Sequence, residues 1–297
     1  MTSAKVQGVG LGLRWEFLDE LLARETLPID FLEISPENYM KRGGYYPAAM
    51  VRAASRYPVV THGLTMSMGG TEPFDADYLR DLAAFVSEVG SPWHSDHLCF
   101  GSADGRVLHD LLPIRFTDEA LNRTADRIQR ARDILKVPLA VENISFYLHP
   151  GKKEMSEQEF IARLCEKADC GLMLDVNNAY VNAQNFGFDV DEWMRTVPLE
   201  RVVQMHVAGH DWFDDDGGSL PVPVGRTPGK GEVIVDTHGA DVCDPVLALL
   251  GRVLAKTGPV PVLLERDQEM PTLDGLVAEV AKIKAIWTES TAAFAAL

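Results

Sequence analysis

Apolar runs of strand length recur eight times along the chain with helix-like segments between them, and no other feature narrows the choice of fold so far. The runs are VGLGL from Val9, IDFLEIS from Ile29, PVVTHG from Pro58 and WHSDHL from Trp93. PLAVENI from Pro138, GLMLDVNN from Gly171, VVQMHVAG from Val202 and PVLLERD from Pro261 complete the set. Between them, residues 75–89 and 116–135 read as helices. Ser156 with Glu159 three residues on makes a capping box, framed by Met155 and Phe160 as a hydrophobic staple. Leu273, Leu276, Val277, Val280 and Trp287 share one helical face. Alternation of this kind over 297 residues predicts an α/β fold, one (β/α)8 TIM barrel covering residues 1–297. An open doubly wound sheet is the alternative.

Charge and composition exclude several roles. The 44 acidic residues against 28 basic ones give a formal net charge of -16, which repels a phosphate backbone and makes nucleic acid a poor partner. No apolar run approaches the roughly 20 residues of a membrane span. The N-terminus lacks the long apolar stretch and cleavage site of a secretory signal, so the chain reads as cytoplasmic with no membrane partner. Cys99, Cys165, Cys170 and Cys243 form neither a paired metal spacing nor a disulfide framework. Three read as small buried hydrophobes, and Cys99, close behind His97, as the one to watch.

Gly8, Gly10 and Gly12 resemble part of a dinucleotide loop, but they lie within a strand instead of opening a helix, which argues against a phosphate role. GRTPGKG at 225–231 lacks the Walker spacing. The connection HDWFDDDGGSLPVPVGRTPGKGEV at 210–233 is longer than compact domains usually carry and reads as a functional loop. Its Asp214 to Asp216 run lacks the alternating spacing of a calcium loop and reads as a solvated tip.

The strands end in polar groups: His62 in PVVTHG, His97 in WHSDHL, Glu142 and Asn143 in PLAVENI, Asp175, Asn177 and Asn178 in GLMLDVNN, His206 in VVQMHVAG, Glu265 and Asp267 in PVLLERD. Carboxylates and imidazoles are costly there unless paired, and in a barrel these ends meet on the face where active sites lie. Strand parity keeps His94 and His97 from facing inward together, and His97 sits nearer the strand end. His206 and His210 would lie about 13 Å apart on a continuous strand, too far for one ion. The reading is that the strand ends at His206, the chain turns at Ala208 and Gly209, and His210 returns over the mouth towards Asp236 and His238. Nine donors, His62, His97, His206, His210, His238, Glu142, Asp175, Asp236 and Glu265, exceed the needs of one ion and predict two or three ions bridged by carboxylates. With no thiolate in the set, structural zinc is a poor fit; imidazole and carboxylate suit Fe, Mn or Zn. The competing explanation is that these residues are turn formers and helix caps, Asn177 and Asn178 above all.

GVGLGLR, ENYM, THGLTMSMGG, SDHL, HDLLPIRFT, VENIS, GLMLDVNNAYVNAQNFGFD, HVAGH, DTHGADVCDPV and LLERD together resemble the multinuclear non-heme iron-dependent oxidative enzymes, a former domain-of-unknown-function family that includes the methanobactin biosynthesis oxidase. The resemblance implies a barrel like that of xylose isomerase and two or three iron ions, mixed-valent, with O₂ as co-substrate. It implies His62, His97 and Glu142 as ligands, Glu142 bridging; Asp175, His206 and Glu265 around a second ion; and His210, Asp236 and His238, with Asn178, around a third. His62, His97, Glu142, Asp175, His206 and Glu265 would be the catalytic set. The implied reaction is oxidative modification of cysteine in a ribosomally made precursor peptide, which a small partner protein delivers. The chain departs from one common subgroup: Ser35 stands in SPENYM where many members have His, and LERD stands where many have IEWD. Two other readings use the same residues, a metal-dependent isomerase or hydrolase on this barrel, and a non-catalytic metal or peptide binder. Dependence on O₂ separates the first from an oxidase, and an unchanged peptide mass would favour the second.

Overall fold

The computed structural model describes residues 6–214, 216–220 and 227–296, with His109 described by its backbone alone. The extreme N-terminus read for a signal, Asp215 of the acidic run, and residues 221–226, which include Gly225 of GRTPGKG, lie outside the described residues. β1 (Val9–Gly12) leads to α1 (Trp15–Ala23), β2 (Leu32–Ile34) to α2 (Tyr45–Ala54) and β3 (Val59–Gly63) to α3 (Ala76–Val89). After β4 (His94–His97) comes a hairpin of β5 (Cys99–Ala103) and β6 (Arg106–Pro113), then α4 (Asp118–Leu135). β7 (Leu139–Glu142) precedes α5 (Glu157–Ala168); β8 (Gly171–Asp175) runs straight into α6 (Val176–Phe186), with α7 (Val190–Thr196) behind it. β9 (Val202–Val207) is followed by β10 (Asp211–Asp214), β11 (Ser219–Leu220) and β12 (Glu232–Val235), then α8 (Asp244–Thr257), β13 (Val262–Leu264) and α9 (Leu273–Ala295).

Eight of these strands close a parallel barrel in the order β1-β13-β9-β8-β7-β4-β3-β2. The predicted TIM barrel is the observed fold, and the open sheet is excluded. Each expected strand core is present. Ser156 caps its helix as expected, its Oγ accepting from Glu159 N at 3.3 Å; the helix read from 75 is capped by the Asp75 carboxylate, which accepts from the Asp77 and Tyr78 N–H groups, and the one read from 116 begins at Asp118 behind Thr117. Two additions were not foreseen. The β5–β6 hairpin is inserted after β4, and the long connection after His210 contains a three-stranded antiparallel sheet, β11-β10-β12, where a loop was expected. Among the described residues no helix is long and apolar enough to cross a membrane.

Alternation along each strand divides the molecule into two cores. Val9, Leu11, Leu32, Ile34, Leu172, Leu174, Val262 and Leu264 pack outwards into the main hydrophobic core beneath the helices. The opposite parity faces the barrel axis. There Val6, Phe31, Val60 and Leu263, with Trp93 against them, form a separate apolar floor. Above the floor the same face turns polar, in the register Gly12 to Glu33, His62 to Ser95, His97 to Glu142 and Asp175 to His206. Gly10 belongs to this geometry and to no phosphate loop: a Cβ there would lie 2.6 Å from the Phe31 ring.

Candidate metal centre

Three side chains from neighbouring strands meet first. His62 Nε2 lies 3.2 Å from His97 Nε2, and Glu142 Oε2 lies 3.1 Å from the one and 3.2 Å from the other. On the far side of Glu142, Oε1 is 3.6 Å from His206 Nδ1, which is 3.1 Å from Glu265 Oε2. Glu142, Asp175, His206 and Glu265 bring one ligand atom each within 4.8 Å of one another. A third group follows at the edge, His238 with Glu265 and Asp267, and His238 Nε2 is 3.0 Å from Asp236 Oδ1. The barrel thus gathers nine of the ten residues singled out by sequence, Asn178 among them by its place behind Asp175, whose carboxylate accepts its N–H at 2.6 Å.

His210 is placed otherwise. The chain does turn after His206, but His210 Nδ1 is bonded to Asn177 Oδ1 at 2.7 Å and its Nε2 faces Cys243 Sγ at 4.0 Å, with the ring stacked on Tyr180. It reaches Asp236 only through Asn177, whose Nδ2 donates to Asp236 Oδ1 at 2.7 Å. Parity separates His94 as expected: its Nδ1 bonds Thr61 Oγ1 at 3.0 Å on the outward side, beside Asp96. Cys99 is fully enclosed and burial pushes its thiol up, so it offers no chemistry; Cys243 is the cysteine left partly exposed. Arg266, the departure in LERD, turns to Asp241 and the backbone of Gln268 and Glu269.

Glu33 is the residue the sequence reading missed. It is buried inside the barrel, accepts from His206 Nε2–H at 2.9 Å and from Gln204 Nε2 at 2.6 Å, and Gln204 Oε1 in turn accepts from Trp93 Nε1 at 3.1 Å. Carboxylates face both ring nitrogens of His206, Glu33 at Nε2 and Glu265 with Glu142 at Nδ1, and hold the ring protonated against burial; an ion bound there would take the place of the Nδ1 proton. Ser95 holds His62 from behind: its hydroxyl points to Thr61 O at 3.5 Å and so accepts from Nδ1–H at 2.9 Å, leaving Nε2 facing inward. Asn143 holds the end of β8 by pairing both ways with the Asp175 backbone at 2.9 Å. Glu33 was legible by the rule that found the others, being a lone carboxylate between Leu32 and Ile34 in an apolar strand. Asp267 follows the same rule.

Burial opposes every charge in this cluster, and the neighbours decide which survive. Burial would raise Glu142, but His97 and His62 outweigh it and hold the carboxylate well below its usual range. Glu265 is likewise kept low against burial by His206 and His238. Asp175 goes the other way, pushed well above the carboxylate range by burial and by Glu142, Asp236 and Glu265. Burial alone would lower His62, yet Glu142 lifts it to about 9; in His97 burial prevails and the value falls. The site is a cage of carboxylates that demands positive charge. Glu142 Oε2, Asp175 Oδ2, Asn178 Oδ1, His97 Nδ1 and His238 Nε2 are buried there without a hydrogen-bond partner among the described residues.

An ion about 2.1 Å from each ligand sets neighbouring ligand atoms about 3.0 Å apart at right angles and about 3.4 Å apart at the tetrahedral angle. The His62, His97 and Glu142 triangle, with edges of 3.1 to 3.2 Å, lies inside that window. Donor chemistry and spacing both fit a first-row divalent ion.

A family model described as RiPP precursor modification enzyme MbnB/TglH/ChrH matches residues 8–288. A UPF0276 protein of Pseudomonas aeruginosa is 41% identical over 286 residues, covering 96% of this chain and 94% of that protein. A UPF0276 protein of Caulobacter vibrioides is 39% identical over 287 residues, covering 97% and 96%. Among solved structures, an L-ribulose 3-epimerase superposes with a TM-score of 0.56 at 13% identity, covering 98% of this chain and 95% of that one. A xylose isomerase domain protein from Alicyclobacillus acidocaldarius gives 0.52 at 17%, covering 97% and 98%. At these identities the structural likeness concerns the barrel alone.

Proposed function

The chain belongs to the MbnB/TglH/ChrH family of RiPP precursor modification enzymes, and from that premise we propose that it is a multinuclear non-heme iron, O₂-dependent oxidase acting on cysteine in a ribosomally made precursor peptide, with a small partner protein delivering the peptide. The observation that carries the reading is the convergence of His62, His97 and Glu142 on one point at ligand-to-ligand spacing. His62, His97 and Glu142 would hold one ion, and Glu142, Asp175, His206 and Glu265 a second. His238 would hold a third, with Asp236, Asp267 and Asn178 around it; His210 is left out because both its nitrogens face other partners.

Iron bound there would supply one-electron chemistry with O₂ and a Lewis-acid position that favours the thiolate form of a cysteine. The protein's own residues do the rest. Glu142 turns Oε2 towards His62 and Oε1 towards His206, so one carboxylate would serve both groups of ligands. Glu33 and Ser95 hold the rings of His206 and His62 from the side away from the cluster, so that an ion would need only to displace the protons on the facing nitrogens. The apolar floor of Phe31, Val60 and Leu263 closes the barrel from below and leaves the strand ends as the approach. Arg14, paired with Asp267 and 4.0 Å from Glu265, offsets the acidic rim at its edge.

The test is production of the protein with a neighbouring cysteine-containing precursor and partner, in air and without O₂, with metal analysis of the protein and mass spectrometry of the peptide. A mass change at cysteine that needs O₂ and iron is expected. Turnover indifferent to O₂ would point to isomerase or hydrolase chemistry, and an unchanged peptide with metal and partner present would reject catalysis.

A further inference from the structure

A cavity of about 280 Å³ lies on the flank of the barrel between α5, α6 and α7, apart from the metal-binding residues. Its walls are the rings of Phe116, Phe146, Phe186, Phe188 and Trp193. They brace one another: Phe146 and Phe186 are 5.0 Å apart between centroids, and His149 closes the outer side 4.5 Å from Phe186. One carboxylate enters this aromatic box. Glu157 receives Trp193 Nε1–H at 3.1 Å, and no cationic side chain is recorded within ion-pair distance of it among the described residues. Burial pushes the carboxyl up to about 8, against the Trp193 hydrogen bond and the charge of Lys153. At the mouth stand Asp189 and Glu192 against Lys153, which leaves the cavity net acidic.

Aromatic faces carry negative quadrupole, and a box of them around a carboxyl that a bound cation would draw into its ionised form is the arrangement that binds a cation and rejects an anion. The volume suits a side chain or a small ammonium compound better than a whole metabolite. Phe116, Phe146 and Glu157 also border a small inner void of about 10 Å³ that touches Leu98 and Asn143, the residues next to His97 and Glu142. Asn182 ties the Phe146 wall to α6, accepting from Phe146 N at 3.0 Å and donating to Ile144 O at 2.9 Å. The cavity is therefore rigidly joined to the segment that leaves Glu142.

We propose that this cavity is a binding site for an organic cation, the guanidinium or ammonium end of a basic side chain in a bound peptide. That the peptide is the one modified at the barrel mouth rests on the function proposed above; the cation site itself does not.

Calorimetric titration of the full-length protein as isolated, with N-acetyl-arginine amide and N-acetyl-lysine amide against uncharged N-acetyl-norleucine amide, tests the site directly. Saturable binding is expected for a cationic amide, at least about tenfold tighter than for the neutral one, the range of a desolvated cation–π contact. Glu157→Gln should weaken the cationic amide by at least about tenfold, leave the neutral one unchanged and leave metal content at the wild-type level. Equal affinity for charged and neutral amides, no binding of either cationic amide, or full retention in Glu157→Gln would each overturn the proposal. The wild-type comparison stands even if the variant folds poorly. Absence of metal or of peptide modification in the wild-type protein would count against the oxidase reading and leave this titration untouched.

Discussion

At the scale of single residues, Glu33 shows how much of the centre depends on groups that touch no ion. It accepts the His206 Nε2 proton and is itself fixed by Gln204. Outer partners of this kind commonly contribute 10- to 100-fold to metal affinity. Glu33→Ala should therefore weaken metal binding by about tenfold or more while the barrel still folds, as read by metal titration alongside circular dichroism; unchanged affinity would remove Glu33 from this role. Glu157 makes a second prediction at this scale. Held at about 8 in the folded protein against its ordinary 4.5, its carboxyl binds a proton more tightly folded than unfolded. Its contribution to stability is therefore greatest below pH 4.5 and falls as pH rises to about 8. Glu157→Gln should melt higher than the wild type at pH 8.5 (an assay condition of about that value) and no higher near pH 4. A difference independent of pH would contradict the assignment.

At the scale of elements, the junction between β8 and α6 is the most informative. The strand ends and the helix begins at the same residue, Asp175, whose side chain caps the helix by accepting from Asn178 N. A residue that caps the helix and would also ligate is held in one place, and Asn143 secures it from the end of β7. Asn143→Ala removes both side-chain hydrogen bonds to the Asp175 backbone, and a buried N–H left without its partner costs about 1–3 kcal/mol. Denaturant unfolding should show a loss of about 2 kcal/mol or more, together with weaker metal binding. Stability within about 0.5 kcal/mol of wild type would mean that the junction is held by other contacts. The β5–β6 hairpin had no comparable signal in the sequence. Its residues neither alternate cleanly nor form one continuous apolar run, and a short inserted ribbon borrows its stability from the barrel it sits on.

At the scale of the whole molecule, the barrel tolerates a collection of buried acids that would otherwise repel one another. Glu33, Glu142, Asp175 and Glu265 are all buried, and uncompensated buried charge is strongly destabilising. Bound cations would convert that cost into stability. Removal of any bound metal with a chelator should lower the melting temperature at pH 7, and a fitting divalent ion restored to 100 times its dissociation constant should return about 2.7 kcal/mol. Calorimetric scans with and without metal read this directly; identical melting curves would show that the cage needs no ion.

The sequence by itself determined the barrel and most of its mouth, because both rest on local pattern. Period-two alternation and helix caps are written in adjacent residues, and a polar group closing an apolar strand, such as His62 or Glu265, declares itself without knowledge of its neighbours. Which of those groups meet is a matter of strand order and register around a closed sheet. β2 and β9 are separated along the sheet by β1 and β13, so only the curvature of the barrel brings Glu33 against His206. His210 and Asn177, likewise, pair across two connections whose paths no local signal encodes. The tertiary structure alone decided those contacts, because a hydrogen bond across the barrel depends on where the whole sheet closes.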